Sequence, residues 1–526
     1  MKTELARPNA FPAPRPHSVE VRETHVSCVF LGERDVFKVK KPVNLGFLDF
    51  RTLEARKQAC DAEVTLNRRL APHTYLGVVP VVQRRDGTLA FGGEGTTVDW
   101  AVHMQRVPDR LRADVRLTQG SLEPGTIDAV AERLAAFHAS ARCDEHTSAF
   151  GRPEAIAANV AENFAQTRDQ VGGLVTLAEA EEIEAWQLGF LRDHAPLFES
   201  RAAAERIRDG HGDLRLEHVY AGERGELTIL DCIEFNERFR FADVCADVAF
   251  LAMDLAWHGR VDLAERFLAA YARASGDYDL YALVDFYESY RAYVRAKVAM
   301  FAAADPGMAP AARERARLEA RRFFLLALAA HRRSVMRPLL VCVCGIIASG
   351  KSTTAAAIAE TLGAPVIEAD RTRKQMLGLE PRTRVHERAW AGAYDRVFTE
   401  RVYAEVLRRA DVVLASGRPV IVDASFRSAA ERAHARELAR RRGIAVKFVE
   451  CVVRPEMARA RLAARERAAS VSDGRLEIFD AFCARFEPLR EIPENERVIL
   501  DTAAEPARSA ALLRAAIPAW PRGFLA

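Results

Sequence analysis

The sequence predicts a chain in two halves: a two-lobed α+β half, β-rich lobe first and helical lobe second, followed by an α/β half built on a parallel sheet. Three observations predict it. Short strand-like runs separated by turns fill the stretch up to about residue 107. From about residue 126 the apolar period becomes helical. Beyond about residue 335, continuous apolar runs alternate with helices, the pattern of strands buried on both faces.

Residues 1–19 form a Pro-rich segment, and "MKTELARPNAFPAPRPHS" holds no apolar core of the kind a signal peptide needs. Residues 20–335 form the first domain. Its strands are "HVSCVFLG", "DVFKVKKPV", "VVPVVQR", "LAFGG" and "VDWAVHMQRV", broken by turns such as "GERD" and "RRDG" and by one helix, "LEARKQACDAEVTLNRRLA". The helical lobe follows with "IDAVAERLAAFHA", "EAEEIEAWQLGFLRDHAPLF", "AERFLAAYARAS" and "LVDFYESYRAYVRAKVAMFAAA", each an apolar stripe with a charged opposite face. "DPGMAPAARER" breaks the run, one more Arg-rich helix follows, and the second domain occupies 336–526. There "LLVCVCG", "APVIEAD", "RPVIVDASF" and "AVKFVECVV" are four strands alternating with helices.

Composition narrows the function. With 526 residues, 49% of them apolar and 28% charged, the chain can bury more than one core. Lys and Arg total 76 against 73 Asp and Glu, which argues against nucleic acid or an anionic membrane as a general partner. The locally basic "RAHARELARRRG" reads as a solvated helix face. No stretch reaches membrane-spanning length. Nine scattered cysteines form no CxxC pair and read as reduced, buried thiols, so the expected location is the cytoplasm.

"GIIASGKS" fits the P-loop spacing, with a buried strand before it and a helix after it. Gly345 and Gly350 let backbone N–H groups turn around phosphate oxygens, Lys351 reaches the terminal phosphates, and Ser352 offers a hydroxyl to Mg²⁺. Ser349 and Thr353 complete the expected nucleotide-binding set. Two strands end in carboxylates, where parallel sheets assemble their sites. Asp423 stands where a metal-holding acid is expected, and Asp370 where a base would take the proton of an acceptor hydroxyl. Arg461 and Arg465, four apart on a later helix that also carries Arg454 and Arg459, are placed as a lid would place charges for a transferring phosphoryl group.

Residues 338 to about 515 resemble the small P-loop kinases that include zeta-toxin-like, gluconate-kinase-like and chloramphenicol-phosphotransferase-like proteins. The resemblance rests on Gly345 to Ser352, "DRTR" at 370–373, Asp423 and the Arg-bearing helix, and implies Asp370 as base and Arg373 as the substrate or phosphate contact. The acceptor differs widely within that group.

In the first domain, "HGDLRLEHVY" reproduces the catalytic-loop spacing H-x-D-x-x-x-x-N, with His211, Asp213 as the base, and position 218 for a metal-binding Asn. That Asn is His218 here. "ELTILD" then ends at Asp231, the place of a second metal-binding acid, and Glu234 is an added oxygen donor. Lys38 or Lys40 on "VFKVKK" would pair with Glu63 to grip phosphate. Asp243 and Asp247 read as supports of the loop and helix.

This half resembles the aminoglycoside phosphotransferase group of the protein-kinase-like fold over about residues 20–330, and the whole chain resembles bacterial proteins that fuse such a domain to a P-loop kinase. The likeness is carried by "KKPVNLGFLDFRTLEARKQACDAEVTLNRRLAP", "HGDLRLEHVY" and "DCIEFNERFRFADVCADVAFLAMDL". It implies two ATP-dependent phosphotransferase domains with ATP and Mg²⁺ as cofactors and a small-molecule acceptor. Three departures stand out: no GxGxxG loop, no DFG after Asp231, and His218 itself. An imidazole suits a softer ion such as Mn²⁺ better than Mg²⁺. Two alternatives follow: a first domain that binds ligand and regulates the second, or a P-loop domain that phosphorylates nucleic-acid ends.

Overall fold

The computed structural model describes residues 1–517 apart from 45, 47, 330–336, 386, 388–389, 466–470 and 505. Its contacts divide into two units. Unit 1 comprises Met1–Asp254 and Tyr290–Ala327; unit 2 comprises Leu255–Ser289 and Leu328–Ala526. A boundary near 335 lies outside the described residues. The division is also not a single cut, because Leu255–Ser289 packs with the second half.

Unit 1 opens with a six-stranded antiparallel sheet: β1 (Glu20–Glu23), β2 (Ser27–Leu31), β3 (Asp35–Lys40), β4 (Tyr75–Gln83), β5 (Leu89–Phe91) and β6 (Thr96–Gln105), in the order β1-β2-β3-β6-β4-β5. β1 is not among the strands the sequence predicts: Val21 is its one apolar residue, and all four residues are exposed or half-exposed. In β3 successive side chains take opposite faces. Phe37 and Val39 join a core with Phe30, Phe91 and Ala101. Lys38 and Lys40 take the other face, where the helix Leu53–Asn67 lies. That helix starts at Thr52, whose hydroxyl accepts the amide of Ala55, and it buries Cys60 and Val64 against Val102.

The Pro-rich segment is part of this lobe. Leu5, Ala10 and Phe11 are buried, and the Phe11 ring meets Phe37 and Phe91 edge-on at 5.1 and 5.3 Å. Burying such a ring contributes about 1.5–3 kcal/mol. Helices then dominate, among them Pro124–Ser140, Pro153–Thr167 and Leu177–Asp193. Two small antiparallel pairs frame the predicted catalytic loop: β7 (Ile207–Asp209) with β10 (Phe241–Asp243), and the hairpin β8 (Val219–Ala221) with β9 (Leu227–Ile229).

Unit 2 is built on five parallel strands, β11 (Leu339–Cys344), β12 (Val366–Glu368), β13 (Val420–Asp423), β14 (Ala445–Val452) and β15 (Arg497–Asp501), in the order β12-β13-β11-β14-β15. The six residues of β11 are all buried, as its run of apolar side chains requires. β15 is the strand the sequence did not reveal: at the sheet edge, with Ile499 54% exposed, it lacks that signal. The helices Lys351–Leu362, Ala369–Met376 and Arg396–Ala415 follow β11 and β12 in turn.

Candidate active sites

In unit 2 the turn after β11 is shaped by backbone that only small residues permit. Gly345 has φ +139°, and a Cβ there would lie 2.5 Å from the Cys451 carbonyl oxygen. Gly350, φ +93°, caps the helix Lys351–Leu362, and no side chain caps the helix N-terminus in its place. Its first amides are therefore left for an anion, and the helix dipole favours one.

Lys351 Nζ lies over this turn, 2.8 Å from the Ile346 carbonyl oxygen. The Ser352 hydroxyl bonds the Asp423 carboxyl at the end of β13. Burial pushes Asp423 up to about 6, although Lys351 and Ser352 pull the other way. Gly345 and Ser349 lie buried beneath the turn, and Thr353 is exposed on the helix.

One cavity brings Lys351, Ser352 and Asp423 together with Asp370 and Arg373. Asp370 stands in the first turn of Ala369–Met376. Arg373, one turn on and 5% exposed, donates to the Ala393 carbonyl and lies over the Tyr394 ring at 4.5 Å. Its Nε, shut off from solvent, has no hydrogen-bond partner among the described residues. Tyr394 in turn donates to Asp473 at 2.6 Å, and Lys374 pairs with the same carboxylate at 3.2 Å. Trp390, between the guanidinium groups of Arg427 and Arg485 at 4.2 and 4.5 Å, adds an aromatic wall. Tyr394, Asp473 and Trp390 escaped the sequence reading because they come from irregular stretches and meet only in space.

Of the two expected lid arginines, Arg461 sits elsewhere. Arg461 donates to the Ala348 carbonyl at 3.2 Å and to the Thr502 carbonyl at 2.8 Å, which braces the glycine-shaped turn against the end of β15 and keeps Arg461 out of the cavity lining. The Arg465 side chain lies outside the described residues. Arg459 pairs with Asp480. In the basic helix Ala429–Arg442, Arg432, Arg436, Arg440 and Arg442 each pair with a carboxylate.

Unit 1 assembles its residues differently. Lys38 Nζ bridges Glu63 at 2.8 Å and Asp231 at 2.7 Å. Lys40, 1% exposed, reaches the other Glu63 oxygen at 2.5 Å and pairs with Glu234. Two lysines thus share one glutamate, and Glu234 is held as a counter-ion instead of a free donor. Burial would raise Asp231, but Lys38 and then His218 hold it well below the usual carboxylate range.

The loop is fixed by its carboxylates. Asp247 accepts the amides of His211 and Gly212 at 2.6 and 2.8 Å, Asp254 accepts that of Leu216 at 2.8 Å, and Asp243 pairs with Arg201. Asp213 is gripped by both ends of Arg215, at 3.0 and 2.9 Å, a partner that lay in the quoted motif unremarked. His218 Nδ1 donates to the Asp213 carbonyl at 2.7 Å. Its Nε2 faces Arg215 at 3.5 Å and Asp231 at 3.8 Å. Among the described residues no three His, Cys, Asp or Glu side chains cluster to hold a metal by themselves, so phosphate or water oxygens would have to complete either site. No helix of the described residues is long and apolar enough to cross a membrane.

Comparison with known proteins divides the chain along similar lines. A family model described as the phosphotransferase enzyme family matches residues 47–293, and one described as an AAA domain matches 340–489. Rv2004c of Mycobacterium tuberculosis is 36% identical over 469 residues, covering 89% of this chain and 90% of that protein; Mb2027c of Mycobacterium bovis matches equally. Among solved structures, a choline/ethanolamine kinase family protein from Mesorhizobium loti is 14% identical, with 63% of this chain and 99% of that one covered and a TM-score of 0.36. A gluconokinase from Sinorhizobium meliloti 1021 is 23% identical, covering 34% and 93%, with a TM-score of 0.25.

Proposed function

The chain belongs to the family of the mycobacterial proteins Rv2004c and Mb2027c, and from that premise we propose that it is an ATP-dependent phosphotransferase whose P-loop site moves the γ-phosphate to the hydroxyl of a small molecule. The observation that carries the reading is the single cavity with Lys351, Ser352 and Asp423 on one side and Asp370 and Arg373 on the other.

The helix N-terminus and Lys351 would hold the phosphate chain and stabilise charge that builds on it during transfer. Asp370 would take the proton of the attacking hydroxyl, and Arg373, which lines the same cavity, would orient the acceptor. Mg²⁺ bound there would neutralise phosphate charge; Ser352 and Asp423 fit it, being hard oxygen donors, one of them a buried carboxyl that a cation would relieve. The paired arginines of Ala429–Arg442 leave little free positive charge for nucleic acid. Nine free thiols fit a cytoplasmic location.

The test uses the full chain with Asp213→Asn, which silences the candidate base of unit 1. Lys351→Ala added to it should remove ATP turnover. A turnover rate equal to that of the Asp213→Asn chain would sink the assignment.

A second reading concerns unit 1, and its motive is specific. With Asp213 clamped by Arg215 and His218 facing Arg215 and Asp231, this site favours nucleotide or ligand binding with weak transfer, Lys38 gripping phosphate and Mn²⁺ suiting the mixed nitrogen and oxygen donors. In the Lys351→Ala chain, ATP titrated with Mg²⁺ or Mn²⁺ should bind with little γ-phosphate transfer. Robust Asp213-dependent transfer would end the binding-only version.

A further inference from the structure

We propose that residues 255–289, although they lie within the sequence of the phosphotransferase domain, brace the P-loop site from outside its cavity, fixing strand β12 and through it the position of Glu368 and Asp370. The proposal rests on the reading of Asp370 as base.

By sequence the segment belongs to the match at 47–293, yet it packs within unit 2. Its target is the weakest strand of that sheet. β12 has three residues, stands outermost, and is paired on one side only, with β13. An unpaired edge leaves backbone groups that need partners. Tyr278 supplies one: its hydroxyl donates to the Val366 carbonyl at 2.6 Å, and burial holds that hydroxyl protonated by pushing its titration well up.

Arg273, on the helix Val261–Ser275, holds the strand by a side chain instead, donating at 2.9 Å to the Glu368 carboxylate. Arg371 takes the other oxygen of the same carboxylate at 2.6 Å, so Glu368 is gripped from two sides. This residue is the hinge of the site. It pairs in register with Asp423 and immediately precedes the helix that carries Asp370, where it is the N-cap. Whatever fixes Glu368 therefore fixes both the side chain beside the metal-holding acid and the direction of the candidate base.

Other attachments keep the segment in place. Gly276, φ +71°, sits so close to Gln375 that a Cβ would lie 2.4 Å from its amide nitrogen. Arg409 joins that Gln375 at 2.7 Å and lies over the Tyr278 ring at 5.4 Å. Just before β13, the buried Arg418 pairs with Glu265 at 2.9 Å and Asp285 at 2.8 Å, both from the segment. Arg273 is thus a positioning residue that acts through Glu368.

The experiment is done in the full chain carrying Asp213→Asn, with Mg²⁺ and ATP as the probe and water as acceptor. Arg273→Gln should lower kcat for hydrolysis about tenfold or more while KM for ATP changes by less than about twofold, as expected when a catalytic group is displaced and binding is spared. Arg273→Lys should recover most of the rate. Amide exchange of residues 366–376 should quicken in Arg273→Gln and in Tyr278→Phe, with residues 345–352 unchanged. The proposal is overturned if kcat and exchange both stay at the parent level, or if Tm falls with kcat and exchange quickens at 345–352 as well as at 366–376, which would mark a general loss of folding. If Lys351→Ala leaves hydrolysis intact, the reading of the P-loop site fails by itself, and the exchange data alone decide the role of the segment.

Discussion

The two sites solve the same electrostatic problem in opposite ways. The P-loop site offers an anion mostly backbone: a glycine-shaped turn and an uncapped helix start, with Lys351 resting on a loop carbonyl and Asp423 buried beside it. The unit 1 site is a mesh of side chains in which each acid already has a cation: Asp213 has Arg215, Asp231 has Lys38, and Glu234 has Lys40. A backbone cradle waits for its ligand with charge unbalanced. A side-chain mesh is balanced before the ligand arrives, and a nucleotide must break pairs to enter.

That contrast can be broken most directly at Lys351. Lys351→Ala should lower P-loop turnover by roughly 100-fold or more, read in the Asp213→Asn chain, whereas Lys38→Ala should leave that turnover within about twofold, since Lys38 belongs to the other unit. Equal losses from both would merge the two sites into one. Next, Asp370→Asn should slow transfer by about 100-fold with KM for ATP little changed; a wild-type rate removes Asp370 from the role of base.

The comparison is sharpened by pH. Asp423 must be ionised to take a cation, so Mg²⁺-ATP affinity at the P-loop should fall as pH drops through about 6. Titrations of the Lys38→Ala chain followed from pH 8 to pH 5 by calorimetry should show that limb, and Asp423→Asn should abolish it. In unit 1, His218→Asn should restore an oxygen donor and shift the preference from Mn²⁺ toward Mg²⁺ by about tenfold, measured as the ratio of apparent affinities in the Lys351→Ala chain. An unchanged ratio would show that His218 does not contact the ion.

The smallest effect concerns stability. The Asp423 carboxyl titrates near 3.8 when unfolded and about 6 when folded, so between those values the native state binds more protons. Stability from this group therefore falls as pH rises through the window, and at neutral pH the ligand-free protein carries a burden of up to about 3 kcal/mol. Asp423→Asn, ligand-free, should raise Tm at pH 7 and leave it little changed at pH 4. A lower Tm at pH 7 would contradict the assignment of burial as the cause.

Much of this arrangement was legible in the chain. The turn at 345–352 and the acid closing β13 follow from a motif in which spacing and chemistry are local, and local signals survive in a sequence, whereas Asp370, expected to end a strand, stands in the first turn of the helix after β12. The choice between Lys38 and Lys40 did not, because a period of two puts both on one face of β3; only the third dimension gives Asp231 to Lys38 and Glu234 to Lys40. Arg461 shows the reverse difficulty: a helix face carrying arginines reads as a lid, while the backbone carbonyls that bind it leave no mark in the sequence. The attachment of 255–289 to β12 joins residues some ninety positions apart, beyond the reach of any periodicity.

Phe11 has a practical corollary. A stretch so rich in proline invites trimming when a shorter protein is wanted for crystallisation, yet its ring closes the aromatic stack against Phe37 and Phe91. Phe37 lies on the strand that carries Lys38. Cutting the segment away would uncork the small lobe directly behind Lys38, so shortened versions should differ from the full chain in any nucleotide affinity measured at that lobe.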